Sequence, residues 1–290
     1  MPSSVLFRQA QQRDGLQILE IRTTNLTTHL TSLQNQLVKE IVRLRDRQYR
    51  DHTGLTIVEG RVEITRALEA GLHFSELFYC ENMLGDDYGG ELYSSASKSC
   101  DECFSVSERV YEKVAFGGRR EGLIATVKIP ATNLATLTVP VSPLLLIVEG
   151  VEKPGNLGAL FRSADAAGVD AVIVCEPRTD LFNPNAVRAS LGTIFTVPLA
   201  QSTNEEALKW LTRNHIQTLA AAPNGSIPYT SADFTIACAI VLGTEHEGLS
   251  EHWTSASNQI ITIPMRGRAD SLNLSMAATV IAFEAVRQRR

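Results

Sequence analysis

Three segments of the sequence gather the side chains that could do chemistry, and each follows a run of apolar residues. "VEGVEKPGNLGALFRSADAAG" (148–168) makes a Gly-rich turn presenting Asn156, then a helix carrying Arg162. "IVLGTEHEGLSEHW" (240–253) places Gly243 and Glu245 after a strand. "ITIPMRGRADSLNLSMAA" (261–278) sets Ser271, Asn273 and Ser275 ahead of a helix otherwise bound for the core. Gly243 permits close backbone approach by a ligand. A helix start with exposed N–H groups suits a carboxylate or phosphate. Each residue also has a purely structural reading. Asn156 can cap its helix, Arg162 can pair with Asp165, and Glu245 can cap the helix that starts near Leu249. For the last segment the balance tilts: one cap suffices for that helix, so at least one polar group is left to hold something.

Several chemistries are excluded by spacing. A P-loop needs Lys then Ser or Thr where Asn156 and Leu157 stand, and GxGxxG is absent. A zincin helix needs a second His at position 250, which is Ser250. "CDEC" (100–103) has CxxC spacing but no second pair and no His at zinc-finger distance, so it reads as a solvent-facing loop without metal. The five Cys are odd in number and follow no apolar leader, which favours free thiols, a reducing compartment and a cytoplasmic protein. The first thirteen residues hold two Arg and no acid, which leaves an organellar transit peptide open. No apolar run approaches the ~20 residues of a membrane span.

The formal net charge is −5, which argues against an all-over basic binder but not against a local basic patch. "KEIVRLRDRQYR" (39–50) carries five basic and two acidic side chains, and "GGRR" (117–120), "MRGR" (265–268) and "RQRR" (287–290) add three more basic points. They are either solvated faces or phosphate contacts.

The elements that must position these residues fall into two halves. Residues 1–30, without periodicity, read as an arm. Leu33, Leu37, Ile41 and Leu44 then recur at helical spacing. Strands are expected at 55–60, 75–80 and 122–129, and helices at 61–71 and 107–116, with a Gly/Ser-rich stretch between. This α/β unit spans 31–130, and the Pro- and Thr-rich segment 131–143 reads as a linker to residues 144–290. There, strands at 144–149, 171–175, 216–221, 238–242 and 259–263 alternate with helices near 156–167, 184–191, 204–213 and 272–288. Apolar strands alternating with helices predict a parallel sheet covered on both faces, with ligands at the strands' carboxyl ends.

"PGNLGALFRSADAAGV" (154–169), "LGTEHEGLS" (242–250) and "IPMRGRADSLNLSMA" (263–277) together resemble the SpoU (TrmH-like) branch of the SPOUT RNA methyltransferases, in that family's order and spacing. The first half resembles the ribosomal-protein-like RNA-binding domain of many members, best at "IVEGRVEITRALEAG" (57–71). The resemblance implies an α/β fold with a deep trefoil knot, a homodimer with its active site at the interface, and bound S-adenosylmethionine. The implied reaction is methylation of a ribose 2′-hydroxyl in RNA, in ribosomal rather than transfer RNA. Carried over by position, Ala220, Ala221, Gly243, Ile263, Met265 and Leu272 contact the cofactor. Asn156, Arg162, Glu245, Ser271 and Asn273 form the catalytic set. Lys153 stands where members often have an acid, and Glu149 where Asp is common. Proposals for the family make the Arg at 162 the base, but a guanidinium rarely yields a proton. Gripping a phosphate and acidifying the hydroxyl is the better task for it. The rival reading is a non-catalytic RNA-binding module with the same fold, and radiolabelled S-adenosylmethionine separates the two.

Overall fold

This computed structural model describes residues 28–290 apart from Asp86, Glu245 and His246. The arm expected over 1–30, and the transit-peptide reading with it, lie outside the described residues except for Thr28–Leu30, which form β1. The helix read from Leu33 to Leu44 continues as two: α1 (Gln36–Arg43) and α2 (Arg47–Thr53). The break falls where the Asp46 carboxylate accepts the Tyr49 amide as a cap instead of continuing the helix. Next come β2 (Leu55–Glu59), α3 (Arg61–Glu69), β3 (Phe74–Tyr79), α4 (Glu81–Leu84), α5 (Asp87–Ser97), β4 (Cys100–Val106), α6 (Glu108–Val114) and β5 (Leu123–Lys128). Their mixed sheet has the order β1-β4-β3-β5-β2.

Two features of this half depart from the sequence expectation. The Gly/Ser-rich stretch contains α5, which buries Leu92 and Ala96. "CDEC" is no loop: it begins β4 and pairs in parallel with β3, with the Cys103 thiol against the Tyr93 hydroxyl. Short, polar, half-exposed strands owe their stability to neighbours rather than to their own composition.

The segment 131–143 does not swing free. Leu134 is buried in a short 3-10 turn, and the Thr132 carbonyl accepts the Gln201 amide. Beyond it lie β6 (Leu144–Glu149), α7 (Pro154–Ala167), β7 (Ala171–Cys175), α8 (Pro184–Ala189), α9 (Thr193–Thr196) and β8 (Leu199–Ser202). The chain continues through α10 (Asn204–Arg213), β9 (Gln217–Ala221), β10 (Ile227–Pro228), β11 (Cys238–Leu242), α11 (Glu251–Ala256), β12 (Gln259–Thr262) and α12 (Leu274–Gln288). All seven strands run parallel in the order β10-β12-β9-β11-β6-β7-β8. β6, β7 and β11 are buried along their whole length, which is why they read as unbroken apolar runs. Each fully buried Leu, Ile or Val there contributes about 1.5–3 kcal/mol relative to exposure. The edge strands β8 and β10 were not anticipated, being short and partly exposed; the helix expected to start near Leu249 is α11, which begins at Glu251.

Two close approaches position the site. α12 returns onto α7, where the Ser163 and Thr279 hydroxyls share a hydrogen bond of 2.6 Å. α7 also lies tight on α8 at Gly158, where a Cβ would come within 2.5 Å of the Ala189 Cβ. The two halves dock through Arg50, which is 1% exposed and pairs with Asp180 at 2.6 Å. Thr56 donates to the Phe182 carbonyl at 2.7 Å, and Arg66 to the Leu191 carbonyl at 2.7 Å.

Candidate active site

A cavity of about 360 Å³ opens beside the carboxyl ends of β9, β11 and β12. Five of the six residues expected to meet the cofactor line it: Ala221, Gly243, Ile263, Met265 and Leu272. Ala220 does not. It is fully buried inside β9, and strand alternation turns it to the opposite face of the sheet from Ala221. Pro223, Gly248, Leu274 and Ala277 also line the cavity and escaped sequence reasoning, since nothing about a lone Pro or Ala marks it as lining.

The loop after β11 is knitted to its surroundings. A Cβ on Gly243 would overlap the Gly248 carbonyl, so only glycine fits there. Thr244 and Gly248 exchange two backbone hydrogen bonds of 3.1 Å, and the Thr244 hydroxyl accepts the Glu247 amide at 2.9 Å. Arg178 pairs with both Glu247 and Glu152 at 2.7 Å. Glu149, at the end of β6 and 7% exposed, accepts the Ser250 amide at 2.8 Å and the Asn204 amide group at 2.6 Å. Glu149 thus ties the starts of α10 and α11 together. Glu245 lies outside the described residues.

At the edge of the cavity two helix starts meet. Asn273 caps α12: its carbonyl oxygen accepts from the Ser275 amide at 3.1 Å and the Ser275 hydroxyl at 2.7 Å. The helix therefore begins at Leu274 rather than at residue 272. The Asn273 Nδ2 donates to the Asn156 Oδ1 at 3.2 Å. Asn156 is not the cap of α7, because Lys153 occupies that position. It sits in the first turn, half-buried, and faces across to Asn273. Ser271 is exposed and lines the cavity. The polar helix start is thus both a cap and a link to the Gly-rich turn, and neither task is Ser271's.

Arg162, two turns further along α7, is exposed and forms no hydrogen bond or ion pair among the described residues; the expected pair with Asp165 is not made. Several arginines of the other basic clusters already have partners within the fold. Arg50 is buried with Asp180, and Arg45 donates to the Lys113 and Ala115 carbonyls. Arg119 pairs with the fully buried Glu63, and Arg120 with Glu108 and Glu112. Arg289 donates to the carbonyls of Ser142, Pro143, Phe234 and Ile236. Burial pushes the Glu59 and Glu63 carboxyls above the usual carboxylate range, against the hydrogen bonds and arginines that pull them down.

Chemically, the cavity suits a nucleoside-bearing cofactor with an amino-acid tail: apolar side chains, closely approached backbone, the Thr244 and Ser271 hydroxyls and the Glu247 and Asp270 carboxylates. Its size is that of a small-molecule site. The amide pair is rigid and neutral, and the free guanidinium is suited to a phosphate.

Among the described residues no group of His, Cys, Asp and Glu could hold a metal ion, and no helix is long and apolar enough to cross a membrane. Residues 143–283 match the SpoU rRNA Methylase family and residues 35–125 the MRM3-like substrate binding domain. A 23S rRNA (guanosine-2′-O-)-methyltransferase of Vibrio vulnificus is 37% identical over 191 residues, which are 63% of this chain and 77% of that protein. A 23S rRNA (guanosine(2553)-2′-O)-methyltransferase of Bacillus subtilis is 25% identical over 88% of this chain and 97% of its own length. The AdoMet-bound rRNA methyltransferase of Sinorhizobium meliloti superposes with a TM-score of 0.80 at 28% identity, over 90% of this chain and 98% of its own. With the loop after β11 and the start of α12 lining one cavity, and the Gly-rich turn bonded to that helix start through Asn156, the chain belongs to the SpoU rRNA methylase family.

Proposed function

We propose that this protein, an S-adenosylmethionine-dependent RNA 2′-O-ribose methyltransferase, acts on large-subunit ribosomal RNA through Asn156, Arg162, Glu245, Ser271 and Asn273. One observation carries the residue assignment: the bonded Asn156–Asn273 pair adjoins the cavity, and the same helix holds out an unpaired guanidinium. Ala221, Gly243, Ile263, Met265 and Leu272 would hold the cofactor, largely through backbone and apolar contact. When bound, it supplies a methyl group on an electrophilic sulfonium. What remains for the protein is to align the ribose oxygen and help remove its proton. Arg162 grips the phosphate next to the target ribose and favours the ionised hydroxyl by its charge, and that phosphate or a water takes the proton. Asn273, locked by Ser275, fixes Asn156, and Ser271 orients the ribose from the rim. Relatives that modify 23S rRNA, and the substrate-binding match over 35–125, favour ribosomal over transfer RNA.

The assembly belongs to this reading too. A homodimer is supported by Met276 (60% exposed) and Phe283 (44% exposed), seven residues apart on one face of α12. The family's trefoil knot is supported by the return of α12, last in the chain, onto α7. A division into 31–130 and 144–290 is supported by the two separate sheets. Residence in the cytoplasm is supported by the five free thiols. Mapping 2′-O-methyl sites in RNA from cells lacking the gene tests the target. Loss of a site in 23S rRNA is the expected result, and loss confined to tRNA overturns the ribosomal assignment. Sedimentation of the purified protein as a monomer at micromolar concentration would remove the dimer.

A further inference from the structure

We infer that the seam between the two halves is a groove for the RNA backbone flanking the target ribose, with Arg188 and Arg119 as its phosphate-binding side chains. This rests on the methyltransferase reading above. The groove, about 500 Å³ and open to solvent, is lined by Arg119, Arg162, Arg188 and Asn185, by Pro154 and Gly155 at the start of α7, and by no acidic residue.

Its construction begins at Gly158. Because α7 and α8 touch backbone to backbone there, the Arg162 face of α7 lies beside Asn185 and Arg188 of α8. Arg188 forms no hydrogen bond or ion pair among the described residues. Its guanidinium lies against Gly117 of the first half, where a Cβ would overlap it. Arg119 enters from the first half. Glu63, wholly buried, holds it at 2.9 Å and leaves it 27% exposed toward the groove. Three guanidiniums on two domains thus converge without a carboxylate in the lining, in a protein whose net charge is −5. Glu63 and Glu121 offset Arg119, and Glu59 lies in the field of Arg188, but all three carboxylates stay out of the lining, so the charge presented to solvent there is positive and attracts an anion. An open trough with charges along it matches successive phosphates better than a single small anion. Arg162, at one end, already belongs to the transfer site. The two domains would then grip one strand together, at a spacing set by the Arg50–Asp180 and Thr56–Phe182 links.

The test uses the full-length protein, an unmodified 23S rRNA transcript and radiolabelled S-adenosylmethionine, with RNA affinity measured across a KCl titration. Arg188→Gln and the double change Glu63→Gln/Arg119→Gln, which strands no buried carboxylate, should each weaken RNA binding several-fold. Each should also flatten the log–log salt slope by roughly 0.7–0.9 for every phosphate that is no longer neutralised. The KM for RNA should rise while kcat and cofactor affinity stay within about two- to threefold, and Arg188→Lys should keep the slope. If Arg188 merely docks the domains in the field of Glu59, then Glu59→Gln should reproduce the Tm change of Arg188→Gln while both variants keep the wild-type slope. That result overturns the groove. Failure of the wild-type protein to transfer methyl to any RNA would instead overturn the underlying reading, so the two failures are distinct.

Discussion

The cavity is walled by backbone, apolar side chains, two hydroxyls and two carboxylates, with the bonded Asn156–Asn273 pair beside it; the interdomain groove is walled by guanidiniums with no acid among them. The first surface is satisfied internally and recognises by shape, so its residues should be intolerant of small steric changes. The second holds charge in reserve and recognises by field, so its residues should respond to salt and to the geometry of the cation. The N-terminal arginines sharpen the contrast. Arg50 has spent its donors on Asp180 and the Leu44 carbonyl, and Arg45 points its Nη2 at two carbonyls, so the salt dependence of RNA binding should not reside in them.

The largest expected effect is at Arg162. Arg162→Ala should lower methyl transfer by on the order of 100-fold or more, the scale of removing a preorganised donor from a developing charge. Cofactor affinity should stay within a few fold. Arg162→Lys should fail as well, because a point charge cannot reproduce a planar fork. Single-turnover transfer with titration calorimetry measures both, and substantial activity in the Lys variant would break the guanidinium-specific half of the comparison.

Asn273→Ala comes next. As a cap alone, its loss costs about 1 kcal/mol and little rate. As the partner of Asn156, its loss should reduce turnover by orders of magnitude while Tm moves only a few degrees. Ser275→Ala should follow it in weaker form, because the Ser275 hydroxyl donates to the Asn273 carbonyl at 2.7 Å. Ser275, the second residue of α12, is therefore part of the cap rather than a bystander. Turnover and Tm on the two variants decide whether the start of α12 is site or merely cap.

At Gly243 the shape side can be probed directly. Gly243→Ala pushes a methyl into the Gly248 backbone. Overpacking of this kind costs about 1–3 kcal/mol. The cofactor Kd should rise about tenfold, with the salt slope of RNA binding unchanged. Unaltered cofactor binding would show that the loop yields without disturbing the cavity.

The smallest effect concerns the buried acids beside the groove. Glu59 accepts the Phe116 and Gly117 amides, yet burial holds its carboxyl above the usual value of 4.5. A carboxyl raised on folding contributes stability that is fully present below the unfolded value and is lost as pH rises through the folded one. Glu59→Gln keeps an acceptor and removes the charge. It should melt slightly higher than wild type at neutral pH, with the difference closing as pH falls toward 4.5. A difference that does not change with pH would mean that Arg188 and Arg119 compensate the charge fully.

Residues 144–290 were legible because their physics is local or repetitive. Unbroken apolar strands announce a sheet covered on both faces, glycines at strand ends announce close backbone approach, and helix-start polar groups are few enough to be asked about one by one. The mixed sheet of the first half was legible only in part. β4 and α5 are composed like loops and owe their structure to burial of Leu92, Ala96 and Phe104 by residues distant in sequence. Sequence alone determined the alternation, the three strand-end segments and the residue types at the site. Only the tertiary structure decided which polar groups are already spoken for. That Asn273 bonds Asn156, that Arg50 is buried, and that Arg188 stands beside Arg162 all depend on packing across 26 to 130 residues of chain. A side chain carries the same donors wherever it falls in the sequence, and only packing determines whether they face a carboxylate, a carbonyl or the open groove.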